Sequence, residues 1–211
     1  MLIPELNEIT SGNQRHIARA ISWVEHHTDG YWELLKSTSG NTPVIGITGP
    51  PGAGKSTLVN SLVQSMSNAG KQVAILAVDP SSPFNLGSLL GDRLRMQSLF
   101  MLPNVYIRSL SSRGSLGGLT TSIIEVVEVL KQAPFDYIII ETVGVGQSEI
   151  EIAGIADTTV VVSVPESGDD IQTLKSGIME IADIFVVNKA DREGAATFAS
   201  HLKKLAHERA V

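Results

Sequence analysis

The stretch "PVIGITGPPGAGKSTLVNSLV" (43–63) constrains this chain more than any other. An apolar run leads into a glycine-rich turn, and the turn leads into a helical repeat. Gly49, Gly54, Lys55 and Ser56 fill the pattern G-x-x-x-x-G-K-[ST]. Glycines let backbone N–H groups wrap an anion, and a helix opening directly behind them adds the partial positive charge of its first turn. The expectation is a phosphate-binding loop built from Gly49, Pro50, Pro51, Gly52, Ala53 and Gly54. Lys55 is expected to reach the β- and γ-phosphates of a nucleotide, the Ser56 hydroxyl to ligate Mg²⁺, and Thr57 to sit beside the α-phosphate. The bland alternative is a glycine-rich turn with no ligand.

The rest of the chain supplies a frame for such a loop. Apolar runs recur at 43–48, 72–78, 105–108, 136–141, 159–164 and 184–188. They are continuous rather than alternating, as in strands covered on both faces, so a mostly parallel sheet is predicted. Helices are predicted between them, from Ser56 to Ala69, from Gly117 to Lys131, and from Gly194 onward. The fold class is therefore α/β, a central sheet flanked by helices. Such sheets bind ligands beyond the carboxyl ends of their strands.

Residues 1–40 read as a helical extension and 41–211 as the main domain. In "NQRHIARAISWVEHH", Ile17, Ala20, Ile21 and Val24 share one helical face, with Trp23 flanking it. "YWELLKS" is expected to form a second short helix, and "STSGNTP" a linker. His26 and His27 fall near a helix end, where a solvated or capping role is expected rather than metal binding.

Composition narrows the classes. With 211 residues, 43% apolar and 18% charged, the chain is long enough for a sizeable core. The absence of cysteine excludes disulfides and thiolate metal sites and fits a cytoplasmic protein. A net charge of −6 with no dense basic tract argues against nucleic acid as a partner. No leader-like start and no long apolar run is seen, so no membrane partner is expected.

"NKAD" (188–191) follows the last apolar run and has the form N-K-x-D. The Asp191 carboxylate can accept from both guanine N1–H and the exocyclic amine, a donor pair that adenine lacks. Asn188 can contact the purine N7 region, and the Lys189 stem can lie over the base. Three acids lie between the two sites. Glu141 ends the run "DYIII" and is the natural metal-side acid. Asp79 ends "QVAILAV" and Asp92 lies in "GDRLRM". Each of these two either joins the metal shell or only shapes a turn or cap, and spacing leaves both readings open. In "ETVGVGQSE" (141–149), Gly144 can offer its N–H to a γ-phosphate. Val145 stands where many fast GTP hydrolases place a water-orienting glutamine, and Gln147 comes two residues later. Slow intrinsic hydrolysis is expected, with the missing group supplied by an acid such as Asp79 or by a movement that a partner induces.

Taken in order, "ITGPPGAGKSTL", "VDPSSPF", "GDRLRM", "IRSLSSRGSLGGL", "ETVGVGQSE" and "NKAD" resemble the MeaB/ArgK (MMAA-type) GTPases, P-loop NTPases of the G-domain type. The resemblance covers essentially the whole chain. It implies bound GTP or GDP with Mg²⁺, and a chaperone role for an adenosylcobalamin-dependent methylmalonyl-CoA mutase or a related acyl-CoA mutase. It places Asp79, Asp92 and Glu141 around the metal and the hydrolytic water, with Lys55 and Gly144 at the phosphates. It makes 142–149, with Gln147, a second switch, and 165–184, with Asp169, Asp170 and Lys175, a further switch facing the mutase. The chain departs from the family pattern at Glu166, Ser167, Asn85 and Leu86, which bears on partner specificity. The family pattern continues past "NKAD" with a strand carrying a serine-alanine base-contact loop and a helical dimerisation arm. The sequence thus reads as a form shortened at its C-terminus, with weakened guanine affinity and loss of the homodimer of longer members.

Three alternatives are a nickel-delivery GTPase, an ATP-dependent kinase tied to basic amino-acid transport, and a non-catalytic nucleotide-binding module. No cysteine and five scattered histidines weigh against the first, and "NKAD" weighs against ATP.

Overall fold

The computed structural model describes residues 6–36, 40–79, 96–111, 121–142, 148–165, 177–178 and 180–209. Six strands form one sheet: β1 (Val44–Thr48), β2 (Val73–Asp79), β3 (Val105–Ser111), β4 (Tyr137–Thr142), β5 (Thr158–Ser163) and β6 (Ile184–Val187). Their order is β3-β2-β4-β1-β5-β6. Every pairing is parallel. All six predicted apolar runs are strands, and the third extends to Ser111, beyond the predicted Arg108. β1 occupies the middle of the sheet, so the glycine-rich turn that leaves it opens between β4 and β5.

The helices are α1 (Leu6–Thr10), α2 (Gln14–Glu25), α3 (Lys55–Asn68), α4 (Thr121–Lys131), α5 (Ser148–Glu151) and α6 (Ala195–Arg209). Strand alternation divides the core into two layers. On one face Val44, Leu76, Val78, Ile138 and Ile140 meet α2 and α4. On the other, Ile47, Ile75, Ile139 and Val162 meet Val59 and Val63 of α3. α6 covers β6 through Phe198 and Leu202.

The apolar stripe on α2 is buried at all four expected positions, Ile17, Ala20, Ile21 and Val24. Asn13 caps its start by accepting from the Arg15 N–H, and His26 caps its end. At that end the His26 ring lies 2.7 Å from the Ser22 carbonyl, and His27 Nε2 lies 3.0 Å from Glu125. Arg108 of β3 donates to Ser22 and Glu25, so an ion pair joins α2 to the sheet. "YWELLKS" makes a 3₁₀ turn, Tyr31–Glu33, in place of the expected short helix. Its backbone closes every three residues, Leu34 N–H to the Tyr31 carbonyl, Leu35 to Trp32 and Lys36 to Glu33, the tighter 3₁₀ pattern.

Three aspartates lock the amino ends of the strands in the same way. The Asp157 carboxylate accepts from Val44 N–H at 2.8 Å, while its own N–H donates to the Val44 carbonyl at 2.8 Å. Asp183 makes the same two-way clamp on Thr159, and Asp136 on Gln72. The Gln72 N–H, followed by Lys71, lowers the Asp136 pKa below its ordinary value. With the amino ends fixed in register, the carboxyl ends align at the opposite edge, where the site lies.

Candidate nucleotide site

The turn between β1 and α3 is held close to its neighbours by residues with no side chain. A Cβ on Gly49 would lie 2.0 Å from the Val162 carbonyl oxygen of β5, and Gly49 has φ 138°. A Cβ on Gly54 would lie 2.3 Å from Asn188 Nδ2. Gly54 is also left-handed, at φ 89°, where it caps the start of α3. Only glycine fits either place. Between them the turn closes on itself through the Ala53 N–H, which donates to the Pro50 carbonyl.

Lys55 is 5% exposed, and its ammonium donates to the carbonyls of Gly49 at 2.7 Å and Pro50 at 3.1 Å. The charge therefore sits inside the curve of the loop, held by the backbone it would share with a phosphate. Ser56 points to the sheet, and its hydroxyl donates to Glu141 Oε1 at 2.6 Å. Thr57 faces outward and is exposed. Glu141 is 6% exposed at the end of β4, the strand beside β1.

The loop "NKAD" docks directly on the phosphate loop. Asn188 Nδ2 donates to the Ala53 carbonyl at 2.8 Å, and Lys189 Nζ donates to the Gly52 carbonyl at 2.8 Å. Lys189 takes φ 53°, an uncommon value for a residue with a side chain. That turn lays the lysine across the glycine-rich loop and leaves Asp191 exposed beyond it. The two predicted sites, more than a hundred residues apart in sequence, are one continuous surface. Asp79 closes β2, where its backbone pairs with Ser111. Its side chain and residues Asp92, Gly144, Gln147, Asp169, Asp170 and Lys175 lie outside the described residues.

The donors present suit Mg²⁺. A serine hydroxyl and a buried carboxylate are hard oxygen ligands, and Mg²⁺ takes one or two such protein groups and completes its shell with phosphate and water. Among the described residues, no group of three His, Asp or Glu side chains is placed to hold a metal by itself. Two buried threonines were not anticipated. Thr142 Oγ1 donates to Thr48 Oγ1 at 3.0 Å, on the sheet face away from Ser56.

A parallel α/β sheet whose central strand opens a glycine-lysine-serine loop, with an N-K-x-D loop docked on it, defines a P-loop nucleotide-binding domain of the G-domain type. Comparison with known proteins narrows the class. The family model described as methylmalonyl Co-A mutase-associated GTPase MeaB matches residues 17–210, and the chain belongs to that family. A Pyrococcus abyssi protein is 50% identical over 198 residues, covering 92% of this chain and 61% of that one. The GTPase ArgK of Escherichia coli is 38% identical over 205 residues, covering 94% of this chain and 62% of ArgK. The chain thus spans about three-fifths of the length of these relatives. Among solved structures, one described as an LAO/AO transport system kinase superposes with TM-score 0.73 at 29% identity, covering 95% of this chain and 61% of that one. The hydrogenase maturation factor HypB of Archaeoglobus fulgidus shares the fold at TM-score 0.57 and 20% identity, over 90% of this chain and 84% of its own.

Proposed function

We propose that this chain binds GTP with Mg²⁺ and hydrolyses it to GDP and phosphate, as the nucleotide-dependent gate of an adenosylcobalamin-dependent acyl-CoA mutase. The observation that carries the nucleotide half is the docking of Asn188 and Lys189 on the carbonyls of Ala53 and Gly52. It joins the N-K-x-D loop to the glycine-rich loop, which supports reading them as one nucleotide site. Lys55 would balance phosphate charge, and the glycine backbone would cradle it. Ser56 and Glu141 would hold the Mg²⁺, which would supply positive charge to balance that of the phosphates. Asp191 would read guanine. Asp79 and Asp92 would complete the metal and water shell, and the Gly144 N–H would sense the γ-phosphate.

The mutase half rests on the family description, which names a methylmalonyl Co-A mutase, and on a Caenorhabditis elegans relative named methylmalonic aciduria type A homolog, 46% identical over 148 residues, 70% of this chain and 37% of its own. Gln147, Asp169, Asp170 and Lys175 are the residues through which nucleotide state would reach that client. Val145 leaves the water without a glutamine, so turnover by the isolated protein is slow and rises when the client binds. Residues 1–40 would act as an extension of a G domain formed by 41–211, and the protein would work in the cytoplasm.

The test is twofold. Calorimetry should show GDP binding and little ADP binding, and Lys55→Ala should abolish hydrolysis. A pull-down with a methylmalonyl-CoA mutase should depend on nucleotide. Equal GDP and ADP affinity would remove the guanine assignment, and nucleotide-independent capture would remove the gate.

A further inference from the structure

Glu141 and Thr142 are the last two residues of β4, and alternation sends them to opposite faces of the sheet. Glu141 meets Ser56 on the α3 side. Thr142 meets Thr48 on the other side. Thr48 is the last residue of β1, one position before Gly49. Because Ile47 stands opposite Glu141 in the parallel register, Thr48 and Thr142 fall side by side. Both are 0% exposed. On the same face of β4, two residues before Thr142, lies Ile140 of the buried core.

A hydroxyl shut away from water without a partner is costly, so each threonine holds the other in place. That bond closes the ladder at the point where β4 and β1 both leave the sheet. Strand ends are otherwise where local opening begins. Glu141 is the residue just before this closure. Its carboxylate can stay aimed at Ser56 only while the backbone behind it keeps its register.

We propose that the Thr48–Thr142 hydroxyl pair is a positioning element that sets Glu141 for Mg²⁺-dependent nucleotide binding. Thr142 is buried on the sheet face away from Ser56, so it acts through the carboxylate beside it. The inference rests on the nucleotide reading given above. A threonine kept only for packing would be replaced without loss by valine, which has nearly the same shape.

The test compares Thr142→Val, Thr142→Ser and the double variant Thr48→Val/Thr142→Val with the parent. GDP affinity is measured with excess Mg²⁺ and with EDTA, and amide exchange of 138–142 is followed in nucleotide-free protein. Thr142→Val should reduce the Mg²⁺-dependent gain in affinity about three- to tenfold, the range of one hydrogen bond. Affinity in EDTA should stay at the parent value, and exchange at the end of β4 should speed up by a similar factor. Thr142→Ser should restore both. The double variant leaves no stranded hydroxyl, so it should fold as the parent does and still lose the Mg²⁺ gain. An undiminished Mg²⁺ gain in the double variant, or a loss as large in EDTA, would overturn the inference. A parent that binds no guanine nucleotide would count against the proposed function instead. The exchange measurement would then decide the pinning of β4 alone, unchanged protection overturning it.

Discussion

The Ser56 hydroxyl donates to Glu141 Oε1 across 2.6 Å, joining the first turn of α3 to the end of β4. This contact brings together the two hard oxygens that suit Mg²⁺. Glu141→Gln keeps the shape and removes the charge. It is expected to weaken Mg²⁺-supported GDP binding about ten- to a hundredfold, the range for a contact to a charged group. Binding in EDTA should change little. Titration with Mg²⁺ at fixed nucleotide checks this.

Gly54 and Asn188 are coupled by space. A methyl at residue 54 would sit 2.3 Å from Asn188 Nδ2 and would break the bond to Ala53. Gly54→Ala should destabilise the fold and weaken nucleotide binding. Asn188→Ala made in the same chain should recover part of the stability loss. Denaturant melts of the four proteins in the cycle should give a coupling of about 0.5–3 kcal/mol.

The clamps at the amino ends of the strands should show in stability and not in nucleotide affinity. Asp157→Ala strands the Val44 N–H, which the carboxylate satisfies at 2.8 Å. The expected cost is about 1–3 kcal/mol, or about 2–4 °C of melting temperature per kcal/mol for a chain of this size. Thermal melts with and without GDP should show the same loss.

Alkaline stability should depend on Tyr106. Its phenol is buried and pushed up to about 12 from 10.0 by desolvation, with Arg108 opposing and Glu25 adding to the rise. A raised folded pKa gives stability that is fully present below the unfolded value and is lost as pH climbs toward the folded one. Between about pH 10 and 12 the parent should lose stability faster than Tyr106→Phe. Chemical melts across that window measure the difference.

What the sequence made legible follows from periodicity and from local motifs. The buried stripe of α2 could be read from Ile17, Ala20, Ile21 and Val24 because a helix repeats every few residues. The loops at Gly49 and Asn188 could be read because glycine, lysine and asparagine there each have a chemical task. Their contact could not, since it depends on strand order, and the order runs out of sequence. Thr48 and Thr142 escaped for the same reason. Each is an unremarked polar residue at the end of an apolar run, until the parallel register sets one beside the other. The aspartate clamps likewise join residues 24 to 113 positions apart. From Tyr31 to Lys36 the backbone closes every three residues rather than every four, a choice between a 3₁₀ turn and a helix that "YWELLKS" alone left to its apolar residues.

The surface formed by the two docked loops should read guanine through Asp191. Xanthine carries a carbonyl where guanine carries its exocyclic amine, so a carboxylate suits guanine and an amide suits xanthine. The most direct measurement is the affinity for GDP and for xanthosine diphosphate in the parent and in Asp191→Asn. The parent should prefer GDP by about tenfold or more, one or more lost hydrogen bonds, and the variant should reverse the preference. An unchanged preference in Asp191→Asn, or none in the parent, would contradict it.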